Sequence, residues 1–116
     1  MDMGNDIFGM HKHHIVFRSQ GGLDFDLNLA EMTLEEHEGD DGPHRNREKD
    51  LALKRGLQGK LFELFPEGDY FDIDTISRKL GRTSRYFDKH FRKVPMVGGL
   101  FPGEEVVRRL MGGKLY

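Results

Sequence analysis

A chain of 116 residues, 36% hydrophobic, 33% charged and without tryptophan, has room for one small domain or two very small modules. Cysteine is absent, which excludes a disulfide framework, a thiolate zinc site and a cysteine nucleophile; any metal must be held by histidine, carboxylate or backbone oxygen. The formal net charge of −2 hides a split, because residues 1–50 carry 5 Lys and Arg against 12 Asp and Glu, whereas residues 71–116 carry 10 against 5. A basic half of this kind points to nucleic acid contacted by one end of the molecule. No apolar run reaches the ~20 residues of a membrane span, and Met1–Met10 carries acids rather than a basic leader. A soluble, cytoplasmic protein with no membrane partner is the expectation.

In chain order, Met1–Met10 has little periodicity and reads as a lead-in. Ile15-Val16-Phe17 is a short β-rich run, closed by the turn signal Ser19-Gln20-Gly21-Gly22. A second apolar piece, Leu27 to Met32, can pair back on it as a hairpin with a long loop. Thr33-Leu34-Glu35-Glu36 has the form of a capping box, which puts His37 in a short helix ended by Gly39. After the turn Asp40-Asp41-Gly42-Pro43, a longer helix is predicted from Arg47, with Leu53, Leu57, Leu61, Leu64 and Phe65 at helical spacing. Gly56 and Gly59 each weaken it by ~1 kcal/mol against alanine, so tertiary packing must hold it. Pro66-Glu67-Gly68-Asp69 stops it. Two short helices follow, over 73–80 and 84–92, then an extended Val94-Pro95, a glycine-rich turn and a last helix over 103–111.

Six histidines stand at His11, His13, His14, His37, His44 and His90. Imidazole is the commonest metal ligand, and its near-neutral proton affinity also suits general-base work. On a strand, His13 and His14 point to opposite faces, so one ring can bind metal while the other stays free to accept a proton. His11 lies too early to join them and reads as exposed. His90, in the basic half, reads as a packing or phosphate-facing residue.

The run His13-His14-Ile15-Val16-Phe17-Arg18-Ser19-Gln20-Gly21-Gly22, then Asn28-Leu29, then His37, resembles the HNH endonucleases, a ββα-metal (His-Me finger) family common in phages. The intervals of 14 residues from His14 to Asn28 and 9 from Asn28 to His37 suit that pattern, and the resemblance covers roughly residues 11–65. It implies that His13 and His37 ligate one divalent ion (Mg²⁺, Mn²⁺, Zn²⁺ or Ni²⁺), that His14 is the general base, and that Asn28 braces the loop and so orients His14. The chain departs from the family in two respects. It lacks the two CxxC pairs that brace many members with zinc, and four residues after His37 it carries Asp41 where many members carry a third histidine. His44, turned back by Gly42-Pro43, is the favoured third ligand; Asp41 and water are the alternatives. Arg18, Arg45 and Arg47 flank this region, and arginine can clamp phosphate through paired hydrogen bonds.

From Thr75 to Lys93 there are seven Lys and Arg and one acid. Ile76 and Leu80 on one helix, small Ser77 at the crossing, Gly81 in the turn and Phe87 and Phe91 on a second helix give the pattern of a helix-turn-helix. Arg82, Arg85, Lys89 and Arg92 are its candidate DNA contacts, with Asp88 among the outward residues. The tail from Lys93 to Leu110 resembles excisionase-like winged modules.

The expected architecture is α+β: a ββα-metal nuclease module over residues 1–65, then a helix-turn-helix-like DNA-binding module over residues 70–116. The expected activity is metal-dependent hydrolysis of DNA phosphodiester bonds, by nicking or double-strand cleavage. The other reading is a non-catalytic phage DNA-binding or accessory protein: a regulator, packaging factor or nuclease inhibitor that keeps the fold. DNA is the expected partner, with a homodimer and phage packaging proteins as further candidates, in the host cytoplasm if the gene is phage-borne.

Overall fold

Ile15 and Val16, the centre of the expected first strand, leave the ladder and turn into the core. In a computed structural model, which describes residues 10–33 and 46–116, strand β1 is Met10–His14 and pairs antiparallel with β2, Leu29–Thr33. The register sets His13 opposite Ala30 and His14 opposite Leu29. The ladder stops there because Asn28 takes over the next two donors: its carbonyl accepts from Ile15 N–H at 2.8 Å and its side chain from Val16 N–H at 2.8 Å. The second strand starts later than expected because Asp26–Asn28 forms a 3-10 turn, closed by Asn28 N–H to the Phe25 carbonyl at 2.8 Å. Thr33 is the last residue of β2; the helix expected beyond it, with His37, lies outside the described residues, as do Asp41 and His44.

Helix α1, Arg47–Leu64, begins where Asn46 accepts from Lys49 N–H at 3.1 Å, with Glu48 and Asp50 favourably placed in its first turn. Its buried stripe is Lys54, Leu57 and Leu61, continued by Phe65. Helices α2, Ile73–Leu80, and α3, Ser84–His90, are capped by Asp72 and Thr83, whose side chains accept from Thr75 N–H and Tyr86 N–H. Gly81 between them adopts φ +78°, a left-handed turn that disfavours a Cβ. Helix α4, Gly103–Leu110, is the last of the described helices. The pairing of β3, Tyr70–Phe71, with β4, Phe101–Pro102, is new, since strands of two residues are too short to show a period in sequence.

Among the described residues the fold is therefore mixed α+β, with four helices and two small antiparallel hairpins. Ile15, Val16, Leu23 and Phe25 of the first hairpin's loop join Leu57 and Leu61 of α1, Ile76 and Leu80 of α2, Phe87 of α3 and Val106 of α4 in one buried cluster. Segments from both halves of the chain thus share a core. None of the described helices is long and apolar enough to cross a membrane.

Lys54 is 1% exposed. Its ammonium donates to both oxygens of Asp50, at 2.8 and 2.7 Å, and lies 4.4 Å from the Phe17 ring centroid. Lys54→Ala should therefore leave Asp50 part-buried without its cation and open a void beside Phe17. The expected loss is ~3 kcal/mol, read as a lower urea midpoint with an unchanged slope.

Candidate functional site: the end of the first hairpin

The amino-acid run Val16 to Leu23 forms a loop whose two ends are drawn together by one side chain. Asn28 is fully buried. Its Oδ1 accepts from Val16 N–H at 2.8 Å, while its Nδ2 donates to the Val16 carbonyl at 3.2 Å and to the Leu23 carbonyl at 2.8 Å. A short polar side chain is needed here, because these backbone groups sit where neither strand nor helix can pair them. The loop also closes on itself through Gly22 N–H to the Phe17 carbonyl at 2.9 Å. A Cβ on Gly22 would come within 1.8 Å of the Val16 carbonyl oxygen, so that close approach requires glycine.

His13 and His14, at the strand end above this brace, have different surroundings. The His13 side chain is 2% exposed and meets the Phe17 ring edge-on at 5.4 Å. His14 is half-buried, and its Nε2 lies 2.6 Å from Asp24 Oδ1. Arg18 Nη2 reaches both Asp24 oxygens at 3.2 Å, and Arg18 Nε lies 3.5 Å from His14 Nε2. His14, Arg18 and Asp24 thus form one polar cluster beside the Asn28 brace.

Asp24 is itself fixed from the second half of the chain. Its N–H donates to the Tyr86 hydroxyl at 2.8 Å, and its carbonyl accepts from Arg82 Nη1 at 3.0 Å. The Arg82 guanidinium also lies over the Tyr86 ring, 4.0 Å from its centroid. Buried Leu23 and Phe25 pin the chain on either side of Asp24. The hydrogen bond from His14, followed by the charge of Arg18, holds the Asp24 carboxyl below the usual carboxylate range in spite of partial burial. A carboxyl lowered in the folded state stabilises the fold above its unfolded value of about 3.8, and that stability is lost as pH falls through the folded value. An acid titration of unfolding should therefore be flatter below pH 4 for Asp24→Asn than for the parent chain.

Of the expected metal ligands, His13 falls within the described residues, whereas His37 and His44 do not. No group of three metal-donor side chains occurs among the described residues. A buried imidazole beside a polar, tightly braced loop is nevertheless a donor of the kind that suits a divalent transition ion. The expected DNA contacts divide into two kinds. Arg18 and Arg82 are engaged with the cluster, while Arg85 and Lys89 on α3, and Arg92 just beyond it, project into solvent. His90 packs against Tyr86 with ring centroids 4.8 Å apart, and burial, then the charge of Arg109, pushes its proton affinity below that of an ordinary imidazole.

Sequence reasoning missed Asp24. Its signal was the alternation Leu23-Asp24-Phe25, in which two apolar neighbours hold the acid at a defined height in a loop. No protein-family model, characterised protein or solved structure matches the chain.

Proposed function

We propose that this protein is a metal-dependent DNA endonuclease of the HNH type, in which His14 is the general base and the basic helix α3 adds a second contact to the DNA. The observation that carries the reading is Asn28 cross-bracing the loop that follows the His13-His14 strand end. An asparagine with three buried backbone partners there gives a rigid floor to an imidazole that must meet a water molecule in a set direction. His13, His37 and His44 would hold the divalent ion, with Asp41 as the alternative third donor. When bound, such an ion would relieve charge on the phosphate and on the departing 3′ oxygen.

The chain's own residues supply the rest. His14 accepts a proton from the attacking water, and the Asn28 brace keeps its strand end from drifting. The Arg18 side chain is 72% exposed while bound to Asp24, a position from which it can also meet a phosphate oxygen. The direct test is nicking of supercoiled plasmid in Mg²⁺, Mn²⁺ or Zn²⁺ against an EDTA control. Cleavage that EDTA abolishes supports the reading; DNA binding without cleavage in any metal supports the non-catalytic alternative.

The role of α3 has its own expected outcome. Arg85 and Lys89 lie four residues apart on one helix and are both exposed, so each can neutralise a phosphate and release a counterion. The double substitution Arg85→Ala, Lys89→Ala should weaken DNA binding and reduce the slope of log affinity against log salt by about 2. Fluorescence anisotropy of a labelled duplex at several salt concentrations measures both quantities; an unaltered slope would remove α3 from the DNA interface.

A further inference from the structure

We propose that Asp24 is the positioning residue that sets the tautomer of His14, holding the proton on Nε2 so that Nδ1 is the nitrogen left to accept one; this rests on the nuclease reading of His14. An ionised carboxylate only accepts hydrogen bonds, so the 2.6 Å contact between Asp24 Oδ1 and His14 Nε2 requires the hydrogen to be on Nε2. Arg18 Nε, 3.5 Å from the same nitrogen, would need Nε2 to be an acceptor instead. The two demands are incompatible, and the shorter, charge-assisted bond prevails. Arg18 then acts on Asp24, whose two oxygens both lie 3.2 Å from its Nη2.

The carboxylate can impose this choice because its backbone does not move freely. Tyr86 and Arg82 hold its N–H and carbonyl, and both belong to the α2–α3 helix pair rather than to the hairpin. The ring that accepts the proton is therefore oriented through Asp24 by the same helix pair that carries the exposed cations Arg85 and Lys89. When water gives its proton to Nδ1, Nε2 keeps its own, and the imidazolium so formed faces a fixed negative charge.

The substitution Asp24→Asn separates this role from a merely structural one. Arg18 claims the remaining carbonyl oxygen of the amide, which turns the amide NH₂ toward His14 Nε2 and moves the ring proton to Nδ1. Long-range ¹⁵N–¹H spectra of the full chain labelled at histidine, recorded at pH 8 with His14→Ala for assignment, read the tautomer directly. The expected result is Nε2–H in the parent chain and Nδ1–H in Asp24→Asn. With it, kcat for plasmid nicking should fall about 10²–10⁴-fold with KM for DNA within about twofold. An unchanged tautomer in Asp24→Asn overturns the proposal even if activity falls, and so does an unchanged kcat beside a switched tautomer. Should Asp24→Asn not fold, the parent spectrum decides, because Nδ1–H there is incompatible with the role. Should the parent chain cut no DNA in any metal, the nuclease reading fails, while the two spectra still decide whether Asp24 sets the ring.

Discussion

His14→Ala is expected to keep the fold and the affinity for a divalent ion while plasmid nicking falls about 10²–10⁴-fold, the usual effect of losing a positioned general base. The fold should survive because the ring is half-buried at a strand end and lies outside the shared apolar core. Losing it frees Asp24 from one partner, but Arg18 still faces both carboxylate oxygens, and Tyr86 and Arg82 still hold the backbone. Metal affinity should persist because His14 is not among the proposed ligands. The neighbouring His13→Ala should behave differently, losing metal affinity together with activity. Single-turnover nicking in Mg²⁺ and in Mn²⁺, run beside calorimetric metal titration of both variants, separates the two roles. A His14→Ala protein that cuts at the parent rate would refute the base assignment.

Asn28→Ala should instead destabilise the whole protein. Three backbone groups, Val16 N–H, Val16 C=O and Leu23 C=O, lose their partner in a place that water cannot readily reach. At about 1–3 kcal/mol for each buried polar group left unmade, a total near 4 kcal/mol is expected, which corresponds to ~15 °C in melting temperature for a domain of this size. Because Val16, Leu23 and Phe25 belong to the shared core, the loss cannot stay local. Asn28→Asp is the informative companion: it keeps an acceptor for Val16 N–H but sets a carboxylate against two carbonyls. It should therefore be no more stable than Asn28→Ala. Calorimetric melting of both variants tests this, and a shift below ~3 °C would mean that the loop is held by its apolar residues alone.

Much of the local structure was legible in the chain. The three helices α1 to α3 begin at Asn46, Asp72 and Thr83, whose side chains accept from the backbone three residues on, and α2 stops at Gly81 in a left-handed turn. These are short-range rules, so a sequence states them outright. Phe87 and Phe91, set on the second helix by the helix-turn-helix pattern, are both buried, although α3 ends at His90, two residues short of the expected end and just before Phe91. The hairpin's existence was also legible, but its strands run over Met10–His14 and Leu29–Thr33 rather than over the β-rich run at Ile15. Apolar β-branched residues mark what must be buried, and here burial means entering the core from a loop rather than lying in a ladder.

The sequence by itself determined where α1, α2 and α3 start, where α2 stops, the presence of a hairpin, and the placing of His13, His14 and Asn28 around one loop, because each depends on contacts no farther apart in the chain than Met10 and Thr33. Only the tertiary structure decided that Asp24 meets His14, that Lys54 is buried against Phe17, and that β3 pairs with β4. Tyr86 and Arg82 reach Asp24 across 62 and 58 residues, and Phe71 meets Phe101 across a helix pair. Such contacts follow from how the shared core seats the helices against the hairpin. An isolated Asp, Lys or two-residue strand carries no periodic mark of the partner it will find.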